Sequence, residues 1–104
     1  MAVVVETEDA DALLQHIRDL IEDEQIKIWN FEDDGDLNYK AKQYEGIAWF
    51  RPEKTSGGLR FKIMTNPKRK GEFTTEVKAI FHGRFIEMLL AHCTGHMTAL
   101  HPTF

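Results

Sequence analysis

Residues 46–64, GIAWFRPEKTSGGLRFKIM, limit what this chain can fold into more than any other stretch. Ile47, Ala48, Trp49 and Phe50 form a run of strand formers. Leu59, Phe61 and Ile63 then alternate with Arg60 and Lys62, the period of 2 of a strand with one face buried and the other wet. Between the two runs, Gly57 and Gly58 supply the backbone freedom of a tight reversal, so antiparallel pairing is expected. Pro52 suggests that pairing stops near it. A lone hairpin is marginal in water, so the remaining chain must cover its apolar side.

The covering elements are legible in outline. Ala10, Leu13, Leu14, Ile17, Leu20 and Ile21 recur at helical spacing, which predicts an amphipathic helix over 8–23 with Thr7 as its N-cap. Residues 25–31 (QIKIWNF) read as a strand, Asp34-Gly35 as a reversal, and 37–43 as a second strand. Residues 2–5 form an edge strand or a frayed end. Over 72–81, Phe73, Thr75, Val77, Ala79 and Phe81 alternate with more polar residues, which favours a strand, although Val77, Ile80 and Phe81 also suit a helix. Residues 84–93 (RFIEMLLAHC) form a helix that is apolar nearly all round. Residues 96–104 read as an irregular tail, with Pro102 opposing helix.

The expected fold is therefore one α+β domain over 1–104. It is a two-layer sandwich, with an antiparallel sheet of four or five strands and the two terminal helices on one face, in the order α-β-β-β-β-β-α. With 42% apolar residues the chain can build a real core. A single cysteine, Cys93, allows no internal disulfide. The first residues lack a basic segment and a long apolar run, and no stretch approaches membrane-spanning length, so a cytoplasmic location is expected.

Charge is unevenly distributed. Residues 1–36 carry twelve acids and two bases, a net of −10, whereas 37–104 carry five acids and eleven bases, a net of +6. If Leu59, Phe61 and Ile63 face the core, Arg60 and Lys62 point outward, and the same parity sends Lys40, Lys42 and Lys78 outward. Arg51 and the loop Lys68, Arg69 and Lys70 extend this basic face, with Trp29 or Trp49 and Tyr44 beside it. Cations interleaved with aromatic rings hold single-stranded nucleic acid or another polyanion. The ordinary alternative is a solvated sheet face whose lysines guard against aggregation.

No reaction is named by any motif. His92, Cys93 and His96 lack the paired spacing of a zinc knuckle, and adjacent helical residues diverge by about 100°. The acidic turn 32–36 lacks a calcium loop's length, and Ser56-Gly57-Gly58 has no following helix to cradle phosphate. Neither a cofactor nor a metal is expected, and the chain reads as a non-enzymatic binding or regulatory protein. Phe85, Met88, Leu89 and His92 on the over-apolar helix are the expected interface of a homodimer. Two further readings stand beside it. The acidic face could engage a basic partner, as an inhibitor or immunity-type protein does, and a pocket between sheet and helices could hold a small ligand.

Overall fold

In the computed structural model, which describes all of residues 1–104, the chain runs β1 (Ala2–Glu6), α1 (Ala10–Glu22), β2 (Trp29–Phe31), β3 (Leu37–Tyr39), β4 (Ala48–Thr55) and β5 (Gly58–Thr65). A short 3₁₀ stretch (Pro67–Glu72), α2 (Thr75–His92), a 3₁₀ turn (Thr94–His96) and β6 (Ala99–Thr103) follow. The fold is α+β, with one antiparallel sheet in the order β2-β3-β4-β5-β1-β6. Six strands replace the four or five expected, and the chain begins and ends on strands.

The hairpin lies inside this sheet. β4 and β5 pair from Ala48↔Thr65 to Thr55↔Gly58. Pro52 does not stop that pairing; the β3 ladder is what ends, at Leu37↔Phe50. β1, expected at an edge, lies between β5 and β6, with Val3 and Val5 buried. Gly58 makes this arrangement possible. It sits at φ +152, and a Cβ there would lie 2.2 Å from the carbonyl oxygen of Val5. No other residue lets β1 approach the hairpin so closely.

Four further expectations fail. Residues 75–92 are one helix, capped by Thr74 Oγ1, which accepts from Val77 N. Phe73, Val77, Phe81 and Phe85 recur every four residues, a spacing that satisfies two strand periods and roughly one helical turn alike. The tail holds strand β6, paired with β1 along its length. Pro102 opposes Val3 and is tolerated because a proline without an N–H can sit on an edge strand with that side turned outward. The strands expected over 25–31 and 37–43 shrink to three residues each. Residues 24–26 instead close α1: Gln25 N and Ile26 N donate to Leu20 O, Glu24 N donates to Ile21 O, and Glu24 takes φ 61. Asp9, not Thr7, caps α1, accepting from Ala12 N at 3.0 Å.

One cluster of 19 buried residues joins the sheet to both helices, including Leu13 and Ile17 of α1 and Phe81, Phe85 and Leu89 of α2. Gly58→Ala is expected to lower unfolding free energy by about 2–3 kcal/mol in urea titrations, because the methyl group must displace β1 backbone. Gly57→Ala, with nothing within 4 Å of its added carbon, is the control and should be nearly neutral.

Candidate functional site

The side chains of Phe50, Leu59, Phe61 and Ile63 are buried, so alternation sends Trp49, Arg51, Glu53, Arg60, Lys62 and Met64 to the opposite face of the sheet. That face does not carry a field of free cations. Arg51 donates through Nε to Asp36 Oδ1 at 3.0 Å and through Nη2 to Asp36 Oδ2 at 2.9 Å. The bonded carboxylate pushes the Arg51 pKa above its ordinary value. Asp36 is 3% exposed and is fixed by the turn 32–36, where Asp34 Oδ1 accepts from Asp36 N and Gly35 takes φ +91. The acidic turn therefore serves to deliver a counter-charge to the sheet. Arg60 lies 3.6 Å from Glu53, its cross-strand partner. Of the three cations predicted for these central strands, only Lys62 has no carboxylate within 4 Å.

The remaining predicted cations lie elsewhere. Lys40 and Lys42 follow the end of β3 and are exposed on the loop 40–47. Lys68, Arg69 and Lys70 lie on the 3₁₀ stretch, and Lys78 is half-buried on α2, not on a strand. Strand directions bring most of these together. β3 ends, β4 begins, β5 ends and α2 begins at one end of the molecule, because Ala48 pairs with Thr65 and Asn38 with Trp49.

Asn66, Arg69 and Gly46 lock this end; of the three, the sequence singles out only Arg69, and as a cation for a ligand. Asn66 caps the 3₁₀ stretch by accepting from Lys68 N, donates its side-chain amide to Gly46 O at 2.9 Å, and donates its backbone N–H to Ile47 O. Arg69 donates to Glu45 O and forms a two-point pair with Glu72, through Nε at 2.7 Å and Nη2 at 2.9 Å. The pair raises the Arg69 pKa and lowers that of Glu72, the shared hydrogen bond being the first cause. Gly46 takes φ +81 directly beneath Arg69. The dipeptide Asn66-Pro67, a helix cap followed by proline at the first position, is the sequence signal that marks this as a built corner and not a loose basic loop. Arg69 thus braces the corner, while Lys40, Lys42, Lys68 and Lys70 stand exposed around it with no carboxylate within 4 Å.

The aromatic residues separate as well. Trp29 is 1% exposed and stacks on Tyr39 in the core, so it is no part of a basic surface. Trp49 is half-buried beside Met64 on the sheet. Tyr44 is half-buried on the loop 40–47, its ring within 11° of parallel to that of Tyr39. Between this loop and α2 lies a groove of about 450 Å³.

The expected dimer residues are not at the surface. Phe85 and Leu89 are 0% exposed and Met88 is 6% exposed, all within the chain's own core. Burial against the sheet accounts for Phe81, Phe85, Met88 and Leu89, whereas Leu90 of the same helix stays exposed. A Leu89→Asp change therefore tests the fold, not an interface. His92 is half-buried, and its carbonyl oxygen lies 2.8 Å from His16 Nε2. His16 in turn stacks on His96 with ring centroids 4.0 Å apart. Cys93 is fully buried, and desolvation pushes its thiol up to about 11, so it stays protonated at neutral pH. No helix is long and apolar enough to cross a membrane.

Comparison with protein-family models, curated proteins and solved structures finds no match to this chain. Removing the carboxylate that holds Arg51 should be felt: Asp36→Ala is expected to lower the urea midpoint, since the turn 32–36 loses its bond to β4, although the half-exposed guanidinium can turn to water. An unchanged midpoint would show that the pair is not structural.

Proposed function

We propose that this chain is a small non-enzymatic binding protein that holds a polyanion, with single-stranded nucleic acid as the ligand class. Its contact surface is the end built from the loop 40–47 and the 3₁₀ stretch Pro67–Glu72. In this reading both helices cover the same face of the sheet, and the opposite face is a charge-balanced wall. The observation that carries the reading is the division of labour among the cations. Arg51, Arg60 and Arg69 are each held by a carboxylate, whereas Lys40, Lys42, Lys68 and Lys70 have none within 4 Å and share one end. Lysines without counter-charges release condensed ions from phosphates most readily, and the corner that carries them is rigidly braced.

A second copy is the other partner we propose. Support comes from Leu90, 55% exposed on α2, beside a cleft of about 480 Å³ lined by Met97, Ala99 and Leu100. Leu90→Asp tests it by sedimentation: a dimer that splits supports this surface, and an unchanged mass dismisses it.

The leading reading is tested by fluorescence anisotropy of a labelled single strand. Binding is expected to weaken with salt at a log–log slope of about −3 if four lysines contact phosphates. Charge reversal at Lys40, Lys42, Lys68 and Lys70 should abolish it, whereas Lys62→Glu should change affinity by no more than about two- to threefold. Equal loss from Lys62→Glu alone would move the site to the sheet face.

A further inference from the structure

We infer that the groove between the loop 40–47 and α2 seats one nucleotide of a bound strand, its base against Tyr44 and its flanking phosphates on Lys40 and Lys42. The inference rests on the polyanion reading above and gives it a specific seat. The groove's volume of about 450 Å³ falls within the range of small-ligand clefts. Its lining is mixed. Tyr39, Tyr44 and Ile80 give flat or apolar surface, while Gln43 and Arg84 supply hydrogen-bond donors. A fatty acyl chain has no use for those donors, whereas a nucleobase needs a π-face and polar edges together. Lys40 and Lys42 are exposed on either side of Ala41, which lines the groove.

Two features of the fold bear on an occupant of the groove. The first is Gly83. It stands inside α2, where glycine weakens a helix, yet an added Cβ would meet nothing within 4 Å. Nothing in the folded chain requires glycine there; a Cβ would open to solvent at the rim of the groove that Gly83 lines, where only a long side chain reaches across the mouth. The second is Trp29. It lines a narrower cavity of about 130 Å³ that shares Arg84 and Glu87 with the groove, and its buried indole N–H has no acceptor. With 1% of its surface exposed, Trp29 does not itself touch an occupant of the groove; it adjoins Arg84 and Glu87, which line both spaces, so its emission reports on their response to a bound base. Arg84 pairs only with Glu87, its neighbour on α2, at 3.2 Å and on an exposed surface, so its guanidinium is free to turn to a base or phosphate.

The test uses the full chain carrying Trp49→Phe, which leaves Trp29 as the sole indole. A short thymidine homopolymer and an abasic strand of the same length are titrated at low salt. The base-bearing strand should bind roughly tenfold tighter and change Trp29 emission, and the abasic strand should leave that emission unaltered. Gly83→Leu, which lays a helix-favouring side chain across the groove's mouth, should reduce affinity for the homopolymer to the abasic level without lowering the thermal midpoint. Ile80→Glu is the second variant, should Gly83→Leu unfold. Equal affinity for the two strands overturns the nucleotide seat and leaves the polyanion reading standing. Failure of both strands to bind overturns the two together.

Discussion

Phe85 fixes how the rest of the molecule is arranged. Its ring lies 4.3 Å from Phe50, 4.8 Å from Phe61 and 5.0 Å from Trp29, centroid to centroid, so one side chain of α2 touches three strands. A core phenylalanine of this kind is worth about 3–5 kcal/mol against truncation. More is at stake than stability. With Phe85 pointing at the sheet, the helical repeat sends Ile80, Gly83, Arg84 and Glu87 towards the loop 40–47, and Leu90 towards the cleft beside Leu100. The two surfaces offered as contact sites are thus set by a single packing choice.

Electrostatics then separates structure from contact. Arg51 and Arg69 form two-point pairs and Arg60 a cross-strand pair, which suits a planar guanidinium with several donors. Asp36 clamps Arg51, Glu53 meets Arg60, and Glu72 holds Arg69 while that residue also reaches Glu45 O. Lysine, a compact charge on a flexible stem, is left to solvent at the same corner. A map of charge by sequence position cannot draw this distinction. It merges paired and unpaired cations, and its net of +6 beyond residue 36 overstates what a ligand meets.

What the sequence reveals depends on whether a signal is local. The hairpin 48–65 and the helix Ala10–Glu22 are legible because their periodicity stands alone. The residues 75–81 are not, because a four-residue aromatic spacing fits both periods and only Thr74 capping decides. Strand β6 is hidden because Pro102 looks like a breaker until β1 provides a neighbour on its other side. Parity turns Arg60 and Lys62 outward, but it misplaces Lys40, Lys42 and Lys78, which lie off the strands, and nothing local foresees Asp36 reaching Arg51 from a turn fifteen residues away. The lysine corner stayed hidden for a related reason: it depends on Asn66 reaching Gly46, twenty residues back along the chain.

Backbone amide shift mapping during titration with a short single strand distinguishes the proposed lysine-bearing end from the sheet face as the contact surface. Contact at the lysine-bearing end should concentrate perturbations in residues 40–47, 66–72 and 80–87, with β1, β6 and the Arg60–Glu53 region unmoved. Perturbations centred on Arg60, Lys62 and His101 would contradict it and return the function to the sheet.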